Sequence, residues 1–230
     1  MARESPAQRI GRTFVSTASL AILALLTSLP ADDAHQASAQ DNFDQPERHF
    51  RVERPASLDK GDALVVYQRI LDDMVAGYTL SQDPTARRFR GWRRYNLGPY
   101  RSATHGERFV NNYANGIAED YDRLEEIEAL PVGSILAKDS FAVTGQGDVF
   151  TGPLFLMEKM PAGFNPSSRD WRYSMILPDG TFFGVTNGDN SDRVEFCVPC
   201  HAAAGDEMDH LFYVPEGNRM QRFRLDEISN

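Results

Sequence analysis

The stretch WRYSMILPDGTFFGVT, residues 171–186, decides the fold. Its first arm alternates Trp171, Tyr173, Met175 and Leu177 with Arg172, Ser174 and Ile176, the period of two that sends successive side chains to opposite faces of a sheet. Pro178, Asp179 and Gly180 turn the chain and residues 181–186 return, so the segment reads as a β-hairpin with one face more buried than the other. Upstream, residues 134–143 and 154–160 flank a connection containing Gly145, Gly147 and Gly152 and make a second hairpin. Residues 108–113 add a shorter strand.

The text before these strands has a different period. Between 62 and 78, Leu64, Tyr67, Leu71, Met74, Val75 and Tyr78 recur at spacings of three and four, opposite Gln68, Arg69, Asp72 and Asp73, which predicts an amphipathic helix capped by Asp59 or Asp62. Ile117, Tyr121, Leu124, Ile127 and Leu130 predict a second helix over 117–130, stopped by Pro131. Residues 81–106 hold Pro84, Gly91, Gly98, Pro99 and Gly106 and read as a long connection. That connection gathers Arg87, Arg88, Arg90, Arg93, Arg94 and Arg101, a local basic patch that is either a solvated loop or a clamp for ligand carboxylates. The class is α+β, an antiparallel sheet with helices packed on it.

Composition limits the function classes. The 230 residues carry 33 acidic and 24 basic side chains, a net charge of −9, so the broad basic face with which nucleic-acid recognition usually begins is absent. Two cysteines cannot build a multi-disulfide framework, and a hydrophobic core must hold the chain. Residues 1–39 read as a secretory signal peptide: Arg3, Arg9 and Arg12 precede an apolar run over 14–29, and Ala37, Ser38 and Ala39 offer a cleavage site before Gln40. Cleavage removes three bases and three acids, leaving the charge at −9 and no membrane span. Residues 40–60, polar at first and without a period, read as a flexible arm, and the expected location is the oxidising periplasm.

Both cysteines fall in one place, Cys197-Val198-Pro199-Cys200-His201, which is the c-type haem attachment sequence. The spacing has a mechanical reason. One helical turn carries both sulfurs to one edge of a porphyrin, where each thiol adds across a vinyl group, and the next imidazole points at the iron. Cys197 and Cys200 are thus expected as thioether anchors and His201 as proximal iron ligand, with one covalent haem c per chain in the domain over 61–230. A zinc site lacks a third cysteine. The main alternative is a haem-free secreted domain in which Cys197 and Cys200 form a disulfide or a redox dithiol. For the sixth iron position His105, His210, Met157, Met160, Met175 and Met208 are nominal candidates; His105, which closes the arginine loop and opens a strand, is the one singled out to face the haem pocket, without being assigned as a ligand. Asp206, Glu207 and His105 are the candidate acid–base groups, while Phe141, Phe155, Trp171, Tyr173 and Phe183 are candidate pocket walls.

The order PVGSILAKDSF, a glycine loop, GPLFLMEKM, DWRYSMILPDG and then CVPCH resembles the cytochrome P-460 family over about residues 92–214. The resemblance implies an antiparallel sheet domain holding a five-coordinate haem whose open face meets nitric oxide or hydroxylamine, and the related cytochrome c′-beta proteins bind gases without oxidising hydroxylamine. Arg94 and Arg101 are the candidates for the haem propionates by motif position. In the hydroxylamine-oxidising members a lysine from the glycine-rich loop is bonded to the porphyrin. Here the loop over 144–151 contains no lysine, and Lys138 and Lys159 lie on the flanking strands, so ordinary c-type attachment is the expectation. The implied roles are electron transfer, gas binding or, if substrate is turned over, a haem-dependent oxidoreductase. The expected partners are a small ligand and a periplasmic redox protein, with a second copy of the chain as a further candidate.

Overall fold

Helix α1, Lys60–Tyr78, begins where Asp59 accepts a hydrogen bond from the Asp62 amide, and it lays Tyr67, Met74 and Tyr78 on the sheet. The computed structural model describes residue 52 and residues 54–220. The expected leader (1–39), the start at Gln40 and most of the arm lie outside the described residues. The arm's last part is tied down: the Val52 amide donates to Gly106, and the Ala56 amide donates to Val143, extending the sheet margin. Among the described residues, no helix is long and apolar enough to cross a membrane.

The described residues form an antiparallel eight-stranded sheet with helices packed on it: β1 (Arg93–Arg94), β2 (Tyr100–Ser102), β3 (Arg108–Ala114), β4 (Ile135–Val143), β5 (Val149–Thr151), β6 (Leu154–Lys159), β7 (Trp171–Ile176) and β8 (Phe182–Val185). The order is β1-β3-β4-β6-β7-β8, with β2 also on β3 and β5 on β4. Both expected hairpins form, in register Leu136 to Met157 and Ser174 to Val185. The connection expected over 81–106 contains a short helix α2, Thr85–Arg88, and the two edge strands β1 and β2. The helix expected over 117–130 is instead a 3-10 segment, Gly116–Glu126, broken at Ala118 and Arg123.

Both faces of the sheet are covered, which corrects the expectation of one more exposed face. On one side α1 packs on Phe109, Tyr113, Phe141 and Leu154. On the other, Val110, Leu136, Trp171 and Tyr173 meet Tyr121, Leu211 and Val214. A buried polar knot joins α1 to the sheet: the Tyr67 hydroxyl donates to Asp139 Oδ2 at 2.6 Å, Asn111 Nδ2 donates to Asp139 Oδ1 at 3.0 Å, and Arg90 donates to Tyr67 at 2.7 Å. Gly77 lies against the Pro178 carbonyl with no room for a Cβ, which lets α1 sit directly on the turn between β7 and β8.

Candidate functional site

The sequence CVPCHA coils into helix α3, Cys197–Ala202, after a 3-10 turn at Ser191–Val194. Spacing of three places Cys197 and Cys200 on one side of this single turn. Both thiols are free and half-buried. Burial, reinforced by Cys200 alongside, pushes the Cys197 thiol up to about 12. A redox dithiol works through a thiolate of lowered pKa, so this environment runs against that chemistry.

Cys197 and His201 border a cavity of empty volume about 650 Å³, counting the part open to solvent. Its other walls come from β4, β6 and β7 through Lys138, Phe155 and Tyr173, and from Leu211 and Phe212. The His201 ring lies 5.2 Å from Tyr173 and 5.9 Å from Phe212, centroid to centroid. Its Nδ1 is 3.1 Å from the His210 carbonyl. A carbonyl only accepts, so Nδ1 carries the proton and Nε2 the lone pair, the arrangement in which a metal-binding imidazole is oriented from behind.

The backbone supplying that carbonyl is held against its own preference. Asp209 and His210 have φ of 52° and 57°, left-handed values costly for residues other than glycine. Asp209 pins them: Oδ1 accepts from Lys159 Nζ at 2.5 Å and from Arg169 Nε at 3.2 Å, Oδ2 accepts from the Leu130 amide, and the Asp209 carbonyl accepts from Trp171 Nε1 at 2.8 Å. His210 Nε2 donates to Asp206 Oδ1 at 2.9 Å. Nothing in the sequence pattern could disclose a role for a carbonyl.

The other candidates separate clearly. His105, in the turn after β2, lines the cavity with its Nδ1 at 3.0 Å from Ser102 Oγ. Met157 and Met175 line it, whereas Met160, Met208 and the His210 side chain do not. Phe155 and Tyr173 are walls, but Phe141 stacks on Phe109 under α1, Trp171 is tied to Asp209, and Phe183 packs with Met175 and Val194. Asp206 and Glu207 stay off the cavity, Asp206 being engaged by His210. Arg94 donates to the Leu97 carbonyl and Arg101 pairs with Glu107 at 2.8 Å, and neither lines the cavity. Among the described residues no cluster of three or more His, Cys, Asp and Glu side chains forms a cage for a bare metal ion.

The two flanking-strand lysines differ in kind. Lys159 is locked between Asp209 and the Arg169 carbonyl and lies over Trp171. Lys138 reaches the cavity, since β4 alternation sends Asp139 to the α1 side and Lys138 to the other. Burial brings the ammonium down from 10.5 to about 8, against a smaller opposing influence from Cys200. Between about pH 8 and 10.5 the unfolded chain therefore binds this proton while the folded chain does not, so the residue's contribution to stability rises with pH. Below pH 8 the full burial cost is felt. In the haem-free chain, Lys138→Met is expected to stabilise by about 1–3 kcal/mol at pH 7, with the advantage shrinking by pH 10. Denaturant midpoints at the two pH values check this, and a gap that does not change with pH contradicts it.

The chain matches no protein-family model and no curated protein.

Proposed function

We propose that this protein is a periplasmic monohaem c-type cytochrome of the cytochrome P-460 kind, serving electron transfer or the binding of small nitrogen ligands. The observation that carries this reading is the joint placement of Cys197 and His201 at one largely apolar cavity, with the His210 carbonyl directing the His201 proton to Nδ1. Cys197 and His201 on the cavity wall, with Cys200 in the same short helix but off the cavity lining, are the donor types haem c requires. Cys197 and Cys200 hold the group by thioethers, His201 Nε2 binds its iron, and Phe155, Tyr173 and Leu211 keep water from it. Bound haem supplies one-electron chemistry at the iron. Arg94 and Arg101, the candidates for its propionates, bond to the Leu97 carbonyl and to Glu107.

A second reading draws on Lys138. An amine held near neutrality at the cavity wall suits proton delivery to a bound nitrogen ligand such as nitric oxide or hydroxylamine, and turnover of such a ligand would make the protein a haem-dependent oxidoreductase. The haem-free disulfide domain is the competitor to both. Expression with the periplasmic haem-attachment machinery separates them: a Soret band that stays with the chain in denaturing detergent supports the cytochrome, and its absence supports the disulfide.

A further inference from the structure

We propose that His105 is the second axial ligand of the haem, closing the sixth position opposite His201. The inference rests on the cytochrome reading and decides between its two forms. His105 and His201 come from distant parts of the chain, the turn after β2 and helix α3, yet both border the same cavity. Their ring centroids are 6.4 Å apart with the planes at 72°. Two imidazoles bound trans to one metal through bonds of about 2.0 Å place their centroids about 6.3 Å apart. The spacing in the protein is that of a shared iron.

The orientation agrees. Ser102 Oγ, 3.0 Å from His105 Nδ1, holds that edge of the ring; in the tautomer in which the hydroxyl accepts, the lone pair lies on Nε2, as it does on His201. Phe155 sets the His105 ring edge-on at 5.0 Å, which limits its rotation. Met157, Met175 and Lys138 border the same cavity. The ring-to-ring spacing to His201 is what distinguishes His105 as the candidate. A haem held by two imidazoles has no open position for nitric oxide, hydroxylamine or carbon monoxide. The protein is then an electron carrier, and its partner is a periplasmic redox protein.

The test uses the matured holoprotein. Intact mass of the denatured chain reports covalent haem independently of ligation. In the native protein the ferric form is expected to be low-spin, with the anisotropic electron-paramagnetic signal of near-perpendicular imidazole planes, and the ferrous form is expected to leave carbon monoxide unbound. His105→Ala should keep the added mass, turn high-spin and take up carbon monoxide stoichiometrically, and added imidazole should restore the low-spin spectrum. His105→Phe, which preserves packing on Phe155, should also be high-spin, so misfolding of the alanine variant does not decide the matter. A native protein that is high-spin and binds carbon monoxide at once overturns the assignment. So does a His105→Ala spectrum that stays low-spin and is lost only in Lys138→Ala. Absence of haem mass overturns the cytochrome reading itself.

Discussion

Serine at both Cys197 and Cys200 is expected to abolish haem that survives denaturation, a complete loss. The substitution keeps helix α3 and its side-chain volume while removing the only two sulfurs able to form thioethers there. Cys197 is the informative member. It lines the cavity and its buried thiol is pushed up to about 12, so it has little use as a thiolate nucleophile in the folded chain. Each single variant should retain one thioether and show an absorption maximum shifted to the red by the unsaturated vinyl. Staining of denaturing gels for haem reads the series. A double variant that keeps denaturation-resistant haem removes the cysteines from the assignment.

Asp209→Ala is expected to cost about 3–5 kcal/mol, the range for leaving one member of a buried ion pair without its partner. Lys159 and Asp209 are both almost fully inaccessible, at 9% and 2% side-chain exposure. The variant also strands the Leu130 amide and frees the left-handed backbone at Asp209 and His210. For a chain of this size the melting temperature should fall by roughly 10 °C or more. Asp209→Asn, which keeps an acceptor for Leu130, should lose less, and Lys159→Met added to Asp209→Ala should recover part of the loss by removing the stranded ammonium. In holoprotein the same variant should alter the iron's spectrum, because the His210 carbonyl orients His201. Thermal melts of the four chains test this, and a loss under about 1 kcal/mol contradicts the pinning role.

The parts of the fold legible in the sequence are those long enough to show a period. Helix α1 and strand β7 repeat their apolar residues at a regular period, β6 and β8 are short runs marked by the turn residues beside them, and the structure has all four within a residue or two of the expected bounds. Strands β1, β2 and β5 are two or three residues long and carry no period, so they were invisible within their connections. The spacing from Ile117 to Leu130 suits a helix, yet φ and ψ leave the helical region at Ala118 and Arg123, and tertiary packing of Tyr121 and Leu124 takes precedence over propensity.

Legibility at the site follows a similar line. Cys197, Cys200 and His201 were legible because local spacing alone organises them. Alternation identified aromatic residues on the strands but not which covered face held the cavity, so Phe155 and Tyr173 fall on its wall while Phe141 and Trp171 fall in the core. Lys138 is legible as a lysine on a strand flanking the glycine loop, but its place at the cavity depends on the direction in which β4 faces α1. The approach of His105 to His201 spans 96 positions and required the sheet itself.

The most direct test of the central claim is the intact mass of the chain, matured in a periplasm competent for haem attachment, with a reduced pyridine spectrum on the same sample. One added haem per chain with an ordinary c-type spectrum is the predicted result. A chain with no added mass and a Cys197–Cys200 disulfide contradicts it.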